Sequence, residues 1–313
     1  MHSRKTDNNF SPAPVGEGSN EMKHTPERWN SRAESWSKLL NGDSSFKQSH
    51  GERVTRAGEF LRSHGLLQAG DNVIDLGCGP GRFVAEFAKT AGHATGLDIS
   101  DKMLSDAEAY ARRNGITNTS YIACDFKEAD PEKEGWVGKF DLVFASITPA
   151  VGDAEGLKKA ISMSRGWCFV STFVRNEDEL RSRISEQVFG AAPQMKSLNS
   201  GYWFHTLFNL LWLDGYYPET CYHMQDFDEL VPLDDELVSY YAELFTRYGG
   251  DRTDAERRVR EYLSDLQDED GCILNHIERW YGWVLWDVRL RGSKELRCAA
   301  SDRVPPQTHS SGR

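Results

Sequence analysis

Short apolar runs alternate with amphipathic segments between residues 72 and 173. The runs have the length of strands, and the segments between them repeat apolar residues at helical spacing. The expected strands are 72–76, 94–97, 119–123, 140–145 and 167–173, and the expected helices are 81–90, 101–114 and 156–164. Strands that alternate with helices predict βαβ units, and almost wholly apolar strands predict helices on both faces of the sheet. The pattern therefore predicts an α/β, doubly wound fold with a mostly parallel sheet.

Helical patterns precede this region. Residues 25–40 begin with Thr-Pro, which suits a helix start, and they repeat Trp29, Ala33 and Trp36 at helical spacing. A second helix is expected over 51–64. We expect residues 23–48 to form an N-terminal helical segment that packs on the body of the protein. A lid over a binding site is the alternative for this segment.

The second half of the chain is less regular. We expect helices over 177–189 and 202–213, strands over 216–224 and 273–288, and a charged helical insertion over about 233–267. Residues 1–22 are rich in Ser, Asn, Pro and Gly, and residues 293–313 look similar, so both are predicted to be disordered tails. Residues 49–292 would then form the main domain.

The formal net charge of −11 restricts the partners that the chain can have. An acidic surface repels phosphate backbones, so broad nucleic-acid binding is not expected. No run reaches the roughly 20 apolar residues of a membrane span, and the polar start lacks a signal-peptide core, so no membrane association is expected. The six cysteines have no C-x-x-C spacing, which predicts no metal site and fits a reducing, cytoplasmic location.

A glycine-rich turn follows the strand at 72–76, where Gly77, Gly79 and Gly81 alternate with other residues. Glycine permits a tight turn and close approach of a ligand to the backbone, and the helix start beyond it presents free N–H groups. The third glycine comes one residue too early for the dinucleotide fingerprint G-x-G-x-x-G, and the phosphate-loop pattern is also absent from the sequence. The turn therefore suits a nucleoside ligand but matches neither common phosphate-binding pattern.

Acidic residues end the next two strands. Asp98 can accept hydrogen bonds from ribose hydroxyls, and Asp125 can accept them from an adenine amino group. Because the ends of successive parallel strands line one crevice, Asp75, Asp98 and Asp125 should face a single ligand. A turn or a helix cap is the alternative for each acid taken alone.

Residues 75–81 resemble motif I of the class I S-adenosylmethionine-dependent methyltransferases. Residues 96–104 are similar to the ribose-binding segment of that family, 123–126 to its adenine-binding segment and 140–145 to its fourth strand. The resemblance covers roughly residues 50–175. It implies S-adenosylmethionine as cofactor and a seven-stranded sheet with an antiparallel last strand, with 216–224 and 277–288 as candidates for the last two strands.

The resemblance also implies roles for individual residues. The glycine turn would line the methionine part of the cofactor, and Asp75 would help to hold its ammonium group. Asp98 would bind both ribose hydroxyls, while the residues around Asp125 would bind the adenine edge. The implied cofactor-binding set is Asp75, Gly77, Cys78, Gly79, Gly81, Asp98, Ile99, Met103, Asp125, Phe126 and Ser146.

The loop that begins at Ser146 should border the transferred methyl group. Its Thr148-Pro149-Ala150 departs from the D/N/S-P-P-Y/F motif of amino-directed nucleic-acid methyltransferases, which argues against methylation of a base amino group. The catalytic residues are not identified by the sequence. His205, in the aromatic run 202–213, is a candidate general base, and the alternative is a core histidine satisfied by a hydrogen bond.

The sequence therefore predicts an S-adenosylmethionine-dependent methyltransferase that acts on a small-molecule acceptor. The alternatives are an enzyme acting on protein or RNA and a non-catalytic S-adenosylmethionine-binding partner subunit. A nicotinamide oxidoreductase is a further alternative, against which the early third glycine argues. The acceptor atom and the oligomeric state are left open.

Overall fold

The computed structural model describes residues 25–41, 45–190, 202–246 and 250–292, and within these residues the strands form one seven-stranded sheet. The strands are Asn72–Leu76 (β1), His93–Asp98 (β2), Thr119–Ala123 (β3), Phe140–Ser146 (β4), Ser164–Asp178 (β5), Glu219–Pro232 (β6) and Cys272–Asp287 (β7). Their order is β3-β2-β1-β4-β5-β7-β6. The first five strands are parallel, and β7 is antiparallel to both β5 and β6. The predicted mostly parallel α/β sheet with an antiparallel last strand is confirmed.

Helices cover both faces of this sheet. They are Pro26–Asn41 (α1), Ser45–Ser63 (α2), Arg82–Phe87 (α3), Asp101–Arg113 (α4), Ala154–Met163 (α5), Glu179–Gln187 (α6), Tyr202–Leu213 (α7), Asp235–Thr246 (α8) and Arg252–Ser264 (α9). Apolar residues of α2, α3 and α4 pack on one face of β1, β4 and β5, and those of α5 and α7 pack on the other. This two-sided packing explains why the central strands are apolar along most of their length.

A third apolar cluster lies where β6 and β7 run on beyond the parallel strands. Leu180 and Ile184 of α6 pack there with residues of α8 and α9, including Val238 and Val259, and with Ile273 of β7. The helical insertion expected over about 233–267 corresponds to α8 and α9, which connect β6 to β7. The insertion therefore has a separate buried apolar core, which it shares with α6 and β7.

Several predicted bounds were wrong. The second helix begins at Ser45 rather than 51, because Gly51 is an exposed residue inside the helix and does not mark its start. Strand β5 continues to Asp178 and β6 to Pro232, well past the predicted ends, because continuous pairing with β7 satisfies their backbone groups despite polar side chains. The α3 helix is shorter than 81–90.

The remaining sequence predictions concern the two ends of the chain, its division into domains and membrane association. The tails predicted over 1–22 and 293–313 lie outside the described residues. Helix α1 occupies most of the predicted 23–48 segment, and the division of the chain into domains stays a prediction. In the described part of the chain, no helix is both long and apolar enough to cross a bilayer.

Candidate functional site

A cavity of about 390 Å³ opens at the carboxyl ends of β1 to β4. This is where parallel α/β sheets bind ligands, and the volume lies within the usual range of ligand sites. Except for Gly81, every predicted cofactor-binding residue lines it: Asp75, Gly77, Cys78, Gly79, Asp98, Ile99, Met103, Asp125, Phe126 and Ser146. The three strand-end carboxylates therefore border one common space.

The glycine turn wraps around the end of β2. Gly77 and Cys78 both donate backbone hydrogen bonds to the Leu97 carbonyl, at 2.7 and 3.0 Å. Gly79 has a φ of +51°, and a Cβ built there would meet no atom within 4 Å, so its bare backbone borders open space. Gly81 has a φ of +72°, and a Cβ there would come within 2.5 Å of the Ala107 Cβ in α4. Gly81 thus serves close packing of the turn against α4 rather than lining the cavity.

Asp98 joins this turn to the start of α4. Its two carboxylate oxygens accept backbone hydrogen bonds from Gly79 at 2.8 Å and from Ser100 at 2.9 Å. The side chain is only 9% exposed, and burial raises its pKa above the usual carboxyl value. Each oxygen retains a second lone pair, so Asp98 can hold the turn and still accept a bond from a ligand hydroxyl.

Asp75 is the most deeply placed acid of the cavity. It is 2% exposed, and its Oδ2 has no hydrogen-bond partner within the described residues. Burial, reinforced by the nearby charge of Asp98, raises its pKa well above the usual value, and Arg53 offsets this only in part. A buried acceptor without a partner is costly, and a cationic ligand group would remove that cost.

The neighbouring wall suits a flat apolar ring. Met103 and Phe126 are buried, and Ile99 is half-buried, all at the edge of the same cavity. Asp125 accepts a hydrogen bond from the Lys127 backbone at 3.0 Å, which fixes the carboxylate at the end of β3. This wall provides apolar contact and an acceptor at the ring edge, as an adenine requires.

The loop after β4 holds an unusual backbone conformation beside the cavity. Ile147 has a φ of +51°, which a β-branched residue rarely adopts. Its backbone N–H donates to the Ser171 carbonyl at 2.8 Å, and the Thr148 hydroxyl accepts from the Ala150 N–H at 3.2 Å. Strain of about 1–3 kcal/mol at such a position persists only where neighbours hold it, and it is common at functional sites.

Helices α1 and α2 complete the cavity, and the α2 residues among them belong to no sequence motif. Trp29 and Trp36 of α1 line it, and Asn30 of α1 accepts a 2.6 Å hydrogen bond from the Ser100 hydroxyl. From α2, Arg53 is 8% exposed and donates to the Ser146 hydroxyl at 3.1 Å. The bond at Asn30 ties α1 to the segment that carries Asp98, so α1 covers the cavity in this structure.

Histidine positions differ from the sequence prediction. His205 is exposed on α7 and does not line the cavity, so the alternative of a buried core histidine was wrong, and its assignment as a base stays an untested prediction. His50 of α2 is buried in the cavity wall, beside Phe83. Burial, with Arg53 and Arg82 nearby, lowers the pKa of His50 well below its usual value, so its imidazole is neutral at pH 7. Helical spacing alone could not place this residue in the site.

A glycine turn and strand-end acids around one cavity of a parallel sheet define a Rossmann-like nucleotide-binding protein. Residues 67–212 match the family model described as a methyltransferase domain. This match to a methyltransferase domain agrees with the resemblance of residues 50–175 to the class I S-adenosylmethionine-dependent methyltransferases.

Several known proteins are similar to part of this chain. A 23S rRNA (uracil(1939)-C(5))-methyltransferase from Hahella chejuensis is 33% identical over 99 residues, which are 30% of this chain and 22% of the relative. A ubiquinone biosynthesis O-methyltransferase from Methylococcus capsulatus is 31% identical over 117 residues, which are 37% of this chain and 46% of the relative. The chain thus spans less than half the length of these two relatives. A magnesium protoporphyrin IX methyltransferase from Synechocystis superposes with a TM-score of 0.48 and 14% identity, over 83% of this chain and 96% of that one.

Proposed function

We propose that this protein transfers a methyl group from S-adenosylmethionine to a small-molecule acceptor. The observation that carries the proposal is a single cavity in which the glycine turn and three strand-end acids meet an aromatic wall. The acids and the turn form its cofactor side. The remaining space, bordered by α1, α2 and the β5–β7 strands, is the acceptor side.

The residues on the cofactor side fit S-adenosylmethionine. Asp75 offers a buried carboxylate oxygen without a partner among the described residues, which suits the ammonium group of the methionine part. Asp98 has spare lone pairs for ribose hydroxyls, and Met103 and Phe126 offer apolar contact for adenine. When bound, the cofactor supplies an electrophilic methyl group on a sulfonium.

The chain itself contributes mainly positioning, which can account for several kcal/mol of a barrier to group transfer. The fixed turn, the constrained loop at Ile147 and the cover formed by α1 hold two ligands in one limited space. His50 is neutral and lies in the cavity wall, so it contributes to the shape of the acceptor side rather than a positive charge. His205 is exposed and outside the wall, so the proposal does not use it.

A small acceptor is favoured by the enclosure of the cavity. Trp29 and Trp36 of α1 line it, so a folded RNA or protein would have to displace this helix to reach Ser146. The net charge of −11 further disfavours a polyanion. The cysteines of the described residues are all free thiols, which supports a reducing, cytoplasmic location as part of the proposal.

Two measurements test this proposal. Calorimetry should show that purified protein binds S-adenosylhomocysteine with micromolar affinity. Absence of measurable heat would refute the cofactor assignment. Transfer of label from methyl-labelled donor is then compared between a small-molecule extract, ribosomal RNA and a protein extract. Label only in RNA or protein would refute a small acceptor, and tight cofactor binding without transfer to any of the three would indicate a non-catalytic subunit.

A further inference from the structure

Most charged residues of the cavity fall into two sets, apart from Arg82 at the start of α3 and Lys127 beside Asp125. The acids Asp75, Asp98 and Asp125 lie at the ends of β1, β2 and β3. The arginines Arg53 and Arg279 come instead from α2 and β7. The acidic side suits the cationic methyl donor, so the basic side is left for the acceptor, and its charge indicates what that acceptor carries.

Arg53 belongs to the boundary between the two sides. Its guanidinium lies 5.2 Å from the Phe83 ring centre and 5.4 Å from that of Tyr281, and it donates to Ser146. It is also close enough to Asp75 for each to shift the pKa of the other. Arg53 is thus already held by Ser146, Phe83 and Tyr281, whereas the terminal nitrogens of Arg279 are left open to the cavity.

Arg279 stands at the centre of a polar row across three strands. Asn176 of β5 and Gln225 of β6 are its register partners on either side, and all three line the cavity. The Asn176 amide oxygen accepts from the Arg279 Nε at 3.1 Å, which orients the guanidinium. The guanidinium lies 5.5 Å from the Phe227 ring centre, and its two terminal nitrogens form no hydrogen bond or ion pair with any described residue.

The position of this row separates it from the cofactor side. Ser146 is level with Ser171 and, across the sheet, with Trp283, and Arg279 lies four residues from Trp283 along β7. At about 3.3 Å per residue this is roughly 13 Å along the strand. Between them, Phe173 and Tyr281 form an apolar step, with ring centres 5.2 Å apart.

The acids nearest to Arg279 are already engaged elsewhere. Asp178 accepts from the Arg181 backbone and from Asn275, and Glu229 accepts from the Asn275 amide at 3.1 Å. Burial raises the pKa of both carboxyls, and Arg279 lowers it only as a lesser contribution. Neither acid forms an ion pair with Arg279 within the described part of the chain, so its charge remains directed to the cavity.

We propose that Arg279, oriented by Asn176, binds a carboxylate group of the methyl acceptor, whose apolar body lies on the step formed by Phe173 and Tyr281. The proposal rests on the proposed function, because it assigns the acceptor side of that cavity. A planar guanidinium with free terminal nitrogens matches a carboxylate in geometry. One cation flanked by neutral amides balances a single negative charge, whereas a phosphate monoester carries nearly two.

The test compares benzoate, benzamide and phenyl phosphate as probes, titrated by ligand-observed NMR into the full-length protein with and without S-adenosylhomocysteine. We expect benzoate to bind at least about tenfold more tightly than benzamide, since charge-assisted pairing is lost in the amide. Arg279→Gln should abolish this preference. Arg279→Lys should retain part of it because the charge is kept. Arg175→Gln is the matched control, since Arg175 is exposed on β5 and paired with Glu177.

The outcomes distinguish a failure of the carboxylate site from a failure of the proposed methyltransferase function. Equal binding of acid and amide, or no binding of either, would overturn the carboxylate site even if S-adenosylhomocysteine binds normally. Tighter binding of phenyl phosphate would overturn the choice of a carboxylate. A retained preference in Arg279→Gln would remove the residue assignment. Absence of S-adenosylhomocysteine binding would instead refute the proposed function, while the probe titrations on ligand-free protein still report on Arg279.

Discussion

Replacing Asp98 is the sharpest test of the cofactor side. Its carboxylate holds the turn at Gly79 and the start of α4 at Ser100 through two backbone hydrogen bonds, at 2.8 and 2.9 Å. The same oxygens are proposed to accept ribose hydroxyls. We expect Asp98→Ala to weaken S-adenosylhomocysteine binding at least about tenfold, because a ligand bond and the support of the turn are lost together.

The size of this effect follows from the contacts. A hydrogen bond to a charged group contributes about 1.5–3 kcal/mol, and about 1.4 kcal/mol corresponds to tenfold in affinity. Loss of one ribose bond therefore gives roughly ten- to a hundredfold, before any loosening of the turn. Asp98→Asn fills nearly the same space and keeps one acceptor oxygen. A large loss in that variant too would assign the effect to the carboxylate rather than to a vacated volume.

Calorimetry at constant pH measures both affinities, with Asp101→Asn as the matched control, because Asp101 is exposed and does not line the cavity. Asp98→Asn should also cost the fold one backbone hydrogen bond, because its amide has a single acceptor oxygen for the two N–H groups of Gly79 and Ser100. Burial raises the pKa of Asp98, so ionised Asp98 costs stability once the pH rises through its folded-state pKa. Affinity for S-adenosylhomocysteine within twofold of the wild type in Asp98→Ala would refute the ribose assignment.

Three further variants probe other parts of the site. The pKa of Asp75 is raised, so lowering the pH protonates the proposed partner of the ligand ammonium, and the affinity for S-adenosylhomocysteine should decrease as the pH is lowered. Asp75→Asn should weaken binding, flatten this pH dependence and raise the melting temperature of the ligand-free protein. An unchanged pH profile in the variant would contradict the reasoning. Asn30→Ala removes the bond between α1 and the start of α4, so stopped-flow measurements should show faster ligand release; an unaltered rate would argue against α1 as a cover. Gly81→Ala should lower the free energy of unfolding by about 2–4 kcal/mol, because its methyl group would clash with α4. Gly115→Ala is the control, since its φ is +67° with open space around it, and it should cost about 1 kcal/mol. Equal losses of the two variants in denaturant melts would disprove the packing argument.

The central sheet and the cofactor side could be predicted from the sequence because their signals are local. Strand β1 has the predicted bounds, since an apolar run and a glycine turn specify it without help from distant residues. Asp98 and Asp125 were predicted to lie in the crevice because parallel topology brings strand ends together, and both line the cavity. Their role as ligand contacts stays a prediction.

The acceptor side could not be predicted in the same way. Arg53 and His50 lie in a helix whose start was misplaced by Gly51, and neither belongs to a motif. Arg279 and Asn176 are 103 positions apart in sequence and meet only through the register of two long strands. A strand was expected over 273–288, but residues 174–178 of β5 and 225–232 of β6 were not predicted as strand, because their polar side chains hide the backbone pairing from the apolar pattern.

The extension of β6 and β7 ties the cavity wall to a remote structural unit. The same two strands that carry Gln225 and Arg279 continue outward to support the buried cluster of α6, α8 and α9. Val259 and the other residues of that outer cluster do not line the cavity themselves. We therefore expect substitutions in this outer cluster to alter acceptor selectivity through β6 and β7, while the residues of the proposed cofactor side stay unchanged.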